Sequence, residues 1–577
     1  MFYTLCSSCG SVLILIEAMS LIDAIVLIST LAFIVAYGSY KTRGSKNVKD
    51  YLKGGNTSNW WTVGLSVMAT QASAITFLST PGQAFNDGLG FVQFYFGLPI
   101  AMVIICLVFI PIYHKLNIYT AYEYLESRFD LRMRTFTAIL FLIQRGLGAG
   151  ITIFAPSIIL SAVLGWDLFT LNIIIGVLVI IYTFSGGTKA VSVTQKQQMA
   201  VIFSGMFIAF FLIIDYLPDD ITFNKALKIA GSSGKMDVLD FSFNFDDRYT
   251  FWSGIIGGSF LALSYFGTDQ SQVQRYLSAS SVKQSQMGLI FNGFLKVPMQ
   301  FFILLVGVMV FVFYQFNPAP LNFNPAATEA VENSSYQEEY DRLEKKLQTI
   351  QTEKRSAAYQ FSQFSDKDVS EKEKLQSRVN QLNTQEDQLR DKARSLITQA
   401  DESVETNDKD YVFIHFILNN LPKGLIGLLL AVILSAAMSS TASELNALSS
   451  TTTMDLFKRY RKKEDTDAYF LNSSKVFTLM WGIFAIIVAC AAPLFDNLIQ
   501  LVNIVGSIFY GNVLGIFLSA FFIKYIRSRA IFIAGIITQA IVIMAWWFDW
   551  MPYLWLNLLG CFSVILIALL IQSSQKN

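Results

Sequence analysis

The sequence predicts an all-α polytopic membrane protein of about thirteen transmembrane helices with an extracytoplasmic helical-hairpin insert, on three observations. Of its 577 residues 53% are hydrophobic and only 15% charged, with a mean hydropathy of +0.47, too apolar for a soluble globular chain. Apolar runs of about twenty residues recur along almost the whole length. One stretch, 317–410, breaks the pattern with a dense mixture of Glu, Lys, Gln and Leu.

Taken in order, the spans fall near 20–40, 58–82, 89–113, 134–164, 168–185, 196–215, 250–268, 286–316, 411–454, 470–494, 496–523, 529–548 and 552–573. Pro493 and Asp496 mark a very short turn between two of them, and Pro81-Gly82 is expected to end the second span. Basic clusters at Lys41–Lys53, Lys115–Arg134, Lys189 with Lys196, Arg275 with Lys283, Lys458–Lys463 and Lys524–Arg529 fall on every second loop. The positive-inside rule then puts the N-terminus outside and the C-terminus in the cytoplasm, with the Asp-rich loop 216–249 on the outer side. Short loops and minimal tails favour a bacterial inner membrane. Residues 1–18 precede a conventional start at Met19 and are expected to be a misassigned start or a short lead.

The insert carries Leu343, Leu347 and Ile350, then Leu375, Val379, Leu382 and Leu389, at three- and four-residue steps. That period predicts an antiparallel, coiled-coil-like hairpin turning near Ser362 to Asp368. It is a solvated spacer, or a docking arm for a protein partner or for self-association. A net charge of +1 without zinc-finger or basic-aromatic patterns excludes nucleic acid as a partner. Cys6 and Cys9 have C-x-x-C spacing, but no second pair or histidine cluster accompanies them, so no metal or redox centre is expected. The chain shows no nucleophile with a base partner and no phosphate-binding glycine loop, which argues against an enzyme.

Two membrane segments are too polar at their centres. Ala69-Thr70-Gln71-Ala72-Ser73 interrupts the second span with small, hydrogen-bonding residues, and a helix broken at mid-membrane exposes carbonyls. In 411–454, Ser435, Ser439, Ser443, Asn446 and Ser450 form one hydroxyl-bearing face. Each run alone also suits close helix packing. Together they offer the five or six neutral oxygens that a hard cation needs where no carboxylate serves it.

The stretches Tyr182–Val191 (YTFSGGTKAV) with Thr194 and Gln198, Thr268–Leu277 (TDQSQVQRYL), and Ala436–Asn446 (AAMSSTASELN) ending at Met454-Asp455 resemble the sodium:solute symporter family. The resemblance covers roughly 20–316 and 411–530. Phe77–Gly82 and Ala121–Phe129 look more like its iodide, multivitamin and monocarboxylate branch than its sugar branch. It implies a LeuT-type fold of two inverted five-helix repeats, with broken helices at 58–82 and 250–268. The units would be a lead (1–19), a leading helix and loop (20–57), repeat one (58–215), an outer loop (216–249), the start of repeat two (250–316), the insert (317–410), the rest of repeat two (411–523), and additional helices with a tail (524–577).

By that resemblance one sodium ion (Na+) would be held by the carbonyls of Ala69, Ala72 and Ala436 and the hydroxyls of Ser439 and Ser440. The solute would sit beside it, lined by Gln71, Ser73, Thr76 and Tyr265. Tyr265 matches an aromatic that closes the pocket in relatives and is otherwise an ordinary interior tyrosine. Lys296 and Arg145 are ionisable groups inside spans and so functional candidates. Lys296 is expected to pair with Asp269 or to reach a substrate carboxylate, and an anionic solute would explain both cations. Members often carry T-D-x-x-Q where this chain has Gln195 between Thr194 and Gln198, and Ala442 replaces a serine that helps hold a second ion. One sodium per cycle is therefore expected.

These features imply sodium-coupled symport of a small solute (an organic or inorganic anion, or a sugar) by alternating access. The other readings are a carrier-fold sensor or anchoring protein that uses the hairpin, and an amino-acid carrier of another LeuT-type family.

Overall fold

The computed structural model describes residues 20–42, 48–244, 247–363, 369–402, 404–461, 466–491 and 498–574. The Cys6/Cys9 pair, residues 364–368 of the turn expected at Ser362 to Asp368, and the turn expected at Pro493 and Asp496 lie outside them, while Ser362 belongs to a helix that ends at Gln363. Among the described residues, nine helices are long and apolar enough to cross a membrane, and Leu21–Ile34 and Leu168–Ile181 are shorter apolar helices.

The chain opens with α1 (Leu21–Thr42), followed by a helix in two pieces, α2 (Trp60–Gln71) and α3 (Ala74–Asp87). Next come α4 (Gly97–Ile104, continuing to Leu116), α5 (Leu131–Leu164), α6 (Leu168–Asp215) and α7 (Phe223–Ser232). A second two-piece helix, α8 (Gly258–Thr268) and α9 (Gln270–Leu277), precedes α10 (Val282–Phe316). The insert holds α11 (Gln337–Gln363) and α12 (Val369–Ala400). The remainder is α13 (Val412–Asn420), α14 (Leu425–Thr451), α15 (Asp467–Ala491), α16 (Leu498–Phe522), α17 (Ser528–Trp547) and α18 (Tyr553–Ser574).

These helices sort into two assemblies. The broken helices α2–α3 and α8–α9 pack with α4 and α10, while α5, α6, α14 and α15 pack with one another. Helix α1 lies against α6 and α14, and its Asp23 explains why: Oδ1 accepts from the backbone N–H groups of Gly424 (2.6 Å) and Gly427 (2.9 Å), capping the positive end of α14. A Cβ on Gly427 would stand 2.1 Å from the Asp23 carbonyl oxygen, so only glycine admits the approach.

Three sequence expectations are corrected. Helix α3 runs through Pro81-Gly82 to Asp87. Those residues mark close packing instead, because Gly307 and Lys409 backbones press against Pro81 and Gly82. The spans at 168–185 and 196–215 stay two helices within α6, Leu168–Ile181 and Val191–Asp215 being the apolar parts, with non-helical backbone at Gly187 (φ 57°) between them. The segment 411–454 is two helices, α13 and α14, parted at Leu421–Gly424. Finally, the second broken helix does not end at 268. It breaks at Asp269 and continues as α9, whose eight residues are all buried, Arg275 included. Arg275 is therefore no loop charge.

The hairpin packs Leu343 and Leu347 of α11 against Leu389, Ala393 and Ile397 of α12. Inside it Glu386 takes an ion pair from Lys354 and another from Arg390 at 3.0 Å. Burial alone would raise the Glu386 carboxyl, but the two cations hold it down to about 2. Its other side rests on loop 216–249 through Tyr359 to Asp220 (2.6 Å) and Gln376 to the Ser232 carbonyl (3.2 Å).

Candidate functional site

The α2–α3 break follows from local bonding. The Ser73 N–H donates to the Gln71 carbonyl (3.1 Å) instead of reaching back four residues to Ala69, and Ala72 leaves the helix at ψ 77°. Ser73 then starts α3 from extended backbone. Helix α14 crosses both pieces, and its Ser439 hydroxyl stands 3.5 Å from the Ala69 oxygen. The Ser440 hydroxyl donates to the Ala436 carbonyl at 2.9 Å. Ala69, Ala72, Ala436, Ser439 and Ser440 are all buried. The structure thus brings Ser439 of α14 to Ala69 at the end of α2, while the Ser440–Ala436 bond is one within α14.

One turn below lies a second polar cluster. The Gln195 amide nitrogen donates to the Thr70 and Ser443 hydroxyls (both 3.1 Å), its amide oxygen accepts from Ser66 (2.5 Å), and Ser66 contacts Ser192 (3.2 Å). The hydroxyls of this cluster are already knitted together by a neutral side chain that presents donors.

Beside the break is a cavity of about 90 Å³. Gln71, Ser73, Thr76 and Tyr265 all line it, as do Ser440 and Arg145. Arg145 reaches from α5, and each of its three nitrogens is engaged. Its Nη1 meets Glu444 Oε1 at 2.9 Å, its Nε and Nη2 both meet Asp269 Oδ2, and Nη2 donates to the Tyr510 hydroxyl at 2.6 Å. Asp269 also caps α9, accepting from the Ser271 N–H at 2.9 Å and hydroxyl at 2.6 Å. The guanidinium lies 5.4 Å from the Tyr265 ring centroid, and the Tyr265 hydroxyl accepts from Gln272 at 2.6 Å.

Two expectations fail here. Asp269 is held by Arg145, Tyr510 and Ser271 rather than by Lys296, because a planar guanidinium can bridge two carboxylates where an ammonium acts as a point charge. Lys296 is buried on α10, its Nζ 5.9 Å from the ring centroid of Tyr95. Nor does Arg145 need an anionic solute to account for it, since two acids of the chain already face it. Glu444 was passed over as a site residue although an acid inside the span 411–454 was itself the signal. Tyr510 and Thr152, which also line the cavity, carried no signal in a sequence rich in both residue types.

A family model described as the sodium:solute symporter family matches residues 51–347 and 397–538, so the unmatched stretch between them falls inside the hairpin. The human sodium/iodide cotransporter is 32% identical over 274 residues, 47% of this chain and 42% of that protein. Human sodium-coupled monocarboxylate transporter 1 is 36% identical over 261 residues, 45% of this chain and 42% of that protein. The chain thus spans under half the length of these two relatives. The sodium/sialic acid symporter SiaT of Proteus mirabilis is 25% identical over 556 residues, 94% of this chain and 93% of that protein. Among solved structures, the substrate-bound outward-open state of a Na+-coupled sialic acid symporter superposes with a TM-score of 0.74 at 23% identity, covering 96% of this chain and 98% of the other. That likeness shows the fold.

Proposed function

We propose, because this chain belongs to the sodium:solute symporter family, that it is a secondary active transporter coupling sodium entry to symport of a small polar solute by alternating access. The observation that carries this reading is the meeting of the α2–α3 break with Ser439 and Ser440 at the edge of a buried polar cavity. The sodium ion is a cargo here. Its ligands would be the carbonyl oxygens of Ala69, Ala72 and Ala436 with the hydroxyls of Ser439 and Ser440, a neutral oxygen set suited to a hard monovalent cation. The solute would lie against Gln71, Ser73, Thr76 and Tyr265. Arg145 and Asp269 would act together, tying α5 to the break in α8–α9, and Lys296 would face the cavity through Tyr95.

Gln195 supports a stoichiometry of one sodium, because its amide fills the hydroxyl cluster of Ser66, Thr70 and Ser443 without supplying negative charge. One charge falling through about 100 mV supplies about 2.3 kcal/mol, enough for roughly a 50-fold solute gradient. The loop charges favour an N-terminus outside and a C-terminus in the cytoplasm, and relatives such as the Proteus mirabilis protein favour a bacterial inner membrane. The hairpin would then cover the outer face. Its apolar side chains are spent on its own packing and on the membrane core, which favours a cap over a docking arm.

The test is the unfolding midpoint of the purified protein in sodium, potassium and choline salts at equal ionic strength, beside the Ser439→Ala/Ser440→Ala variant. Stabilisation by sodium alone that disappears in the variant is expected. Equal midpoints in sodium and potassium for both proteins would remove sodium coupling and favour a carrier-fold sensor.

A further inference from the structure

The charge arrangement of the central cavity bears on what the solute is, and this step rests on the transport reading above. Arg145 would be the natural partner for a solute carboxylate, but each of its three nitrogens is already engaged by Asp269, Glu444 or Tyr510. Its side chain is only 4% exposed. With both acids ionised the cluster carries one net negative charge, so an arriving anion would have to displace an ion pair already formed out of water and would meet repulsion.

The unmet hydrogen-bonding capacity in the cavity is of the opposite kind. Glu444 Oε2 is buried without a donor, and so is Gln71 Oε1. Thr152 lies close to the Glu444 carboxylate, but its hydroxyl donates to the Gly148 carbonyl at 3.0 Å. Both orphaned oxygens belong to residues lining the cavity. A buried carboxylate oxygen left without a donor is costly, and sites built this way discriminate strongly for a ligand that supplies the missing N–H or O–H. Lys296, the other nearby cation, lies across the Tyr95 ring and is not part of the lining.

We propose that the solute is a hydrogen-bond donor, bearing hydroxyl or ammonium groups that bind Glu444 Oε2 and Gln71 Oε1, and that Glu444 determines specificity by rejecting simple carboxylates and inorganic anions. Donors of the two kinds share this chemistry, so the probes must separate them.

The unfolding midpoint of the full chain in sodium buffer is measured against glucose, myo-inositol, glycine, glycine betaine, propionate and iodide. A shift by the two polyols identifies hydroxyl donors. A shift by glycine but not by betaine, which has no N–H, identifies an ammonium donor. Either pattern supports the proposal, provided that Glu444→Gln weakens the active probe about tenfold or more, the loss expected for a charge-assisted hydrogen bond. Gln71→Leu supplies a second variant should Glu444→Gln fail to fold, with a smaller loss expected. A larger shift by propionate or iodide, unchanged probe affinity in the folded variants, or silence from every probe while sodium still stabilises the protein would overturn the proposal and leave sodium transport standing. Absence of the sodium effect itself would overturn both.

Discussion

Removing the Arg145 guanidinium is the sharpest perturbation of the central site. In Arg145→Met a flexible apolar chain of comparable length replaces a group that faces Asp269 Oδ2 and Glu444 Oε1, both buried. The variant leaves two carboxylates without a counter-charge and the Tyr510 hydroxyl without one of its donors. Breaking one side of a buried ion pair costs on the order of 3–5 kcal/mol, and here one cation serves two anions, so the upper part of that range is expected. Neutralising the acids should recover most of the loss: Arg145→Met/Asp269→Asn/Glu444→Gln is expected within about 2 kcal/mol of the native chain, since a cluster removed whole costs far less than one left half-built. The assay is reversible unfolding by denaturant in detergent micelles, without sodium so that ion binding does not enter. A loss below about 1 kcal/mol in the single variant, or a triple variant no better than the single, would refute the charge accounting on which the central site is drawn.

Three further outcomes follow from other parts of the molecule. Gln195→Asp places a carboxylate among the hydroxyls of Ser66, Thr70 and Ser443. The Hill coefficient for sodium in a binding titration is expected to rise from about 1 toward 2, and an unchanged coefficient would count against the one-ion reading of Gln195. In the hairpin, Glu386 has its carboxyl held at about 2 against an ordinary 4.5. Its contribution, at most roughly 3 kcal/mol, should be complete above pH 4.5 and vanish as the pH falls toward 2, read as hydrogen-exchange protection of α11 and α12. Lys354→Met should shrink that pH-dependent part. Asp23→Ala removes the acceptor for the Gly424 and Gly427 N–H groups and should lower the unfolding free energy by about 1–3 kcal/mol. A variant within 0.3 kcal/mol of the native chain, roughly the precision of such comparisons, would mean that water replaces the cap.

The fold class was open to the sequence wherever side-chain polarity reports the surroundings directly. A twenty-residue apolar run has one economical environment, and the Ala69–Ser73 interruption stands out because polar groups in lipid need a reason. The same logic misplaced α9. Gln270, Ser271, Gln272, Gln274 and Arg275 look like an aqueous loop, yet all are buried, because protein groups take the place of water. Gln270 serves the Ala121 N–H (3.1 Å) and the Tyr119 carbonyl (2.9 Å), and Gln274 serves the Leu52 carbonyl (2.5 Å) and the Thr188 hydroxyl (3.0 Å). Those partners are between 86 and 222 residues away in sequence, beyond the reach of any local window. Glu444 was missed for a related reason. Its meaning lies in Arg145 and Asp269, contributed by two other helices, and a single acid inside a motif announces neither.

The polarity of α9 also bears on the proposed transport cycle. Val273, Tyr276 and Leu277 put one face of α9 into the apolar core, and its buried Gln270 and Gln274 are held by specific hydrogen bonds to Leu52, Tyr119, Ala121 and Thr188. In water those bonds exchange for solvent at small net cost, since an intramolecular hydrogen bond contributes only about 0.5–1.5 kcal/mol. An apolar seal of the same area would instead forfeit about 25 cal/mol for each Å² exposed. The polar share of this closure can therefore be nearly balanced against opening, which leaves the smaller apolar face of Val273, Tyr276 and Leu277 as the main cost. The balance can then be tipped by one sodium ion, whose differential affinity for the two states need be only a few kcal/mol. Replacing Gln274 by leucine should disturb that balance in a definite direction. The buried Thr188 hydroxyl and Leu52 carbonyl lose a donor, while the leucine gains from staying dry. The expected result is slower exchange between states at little cost in sodium affinity, measured as sodium-dependent counterflow once a solute is identified.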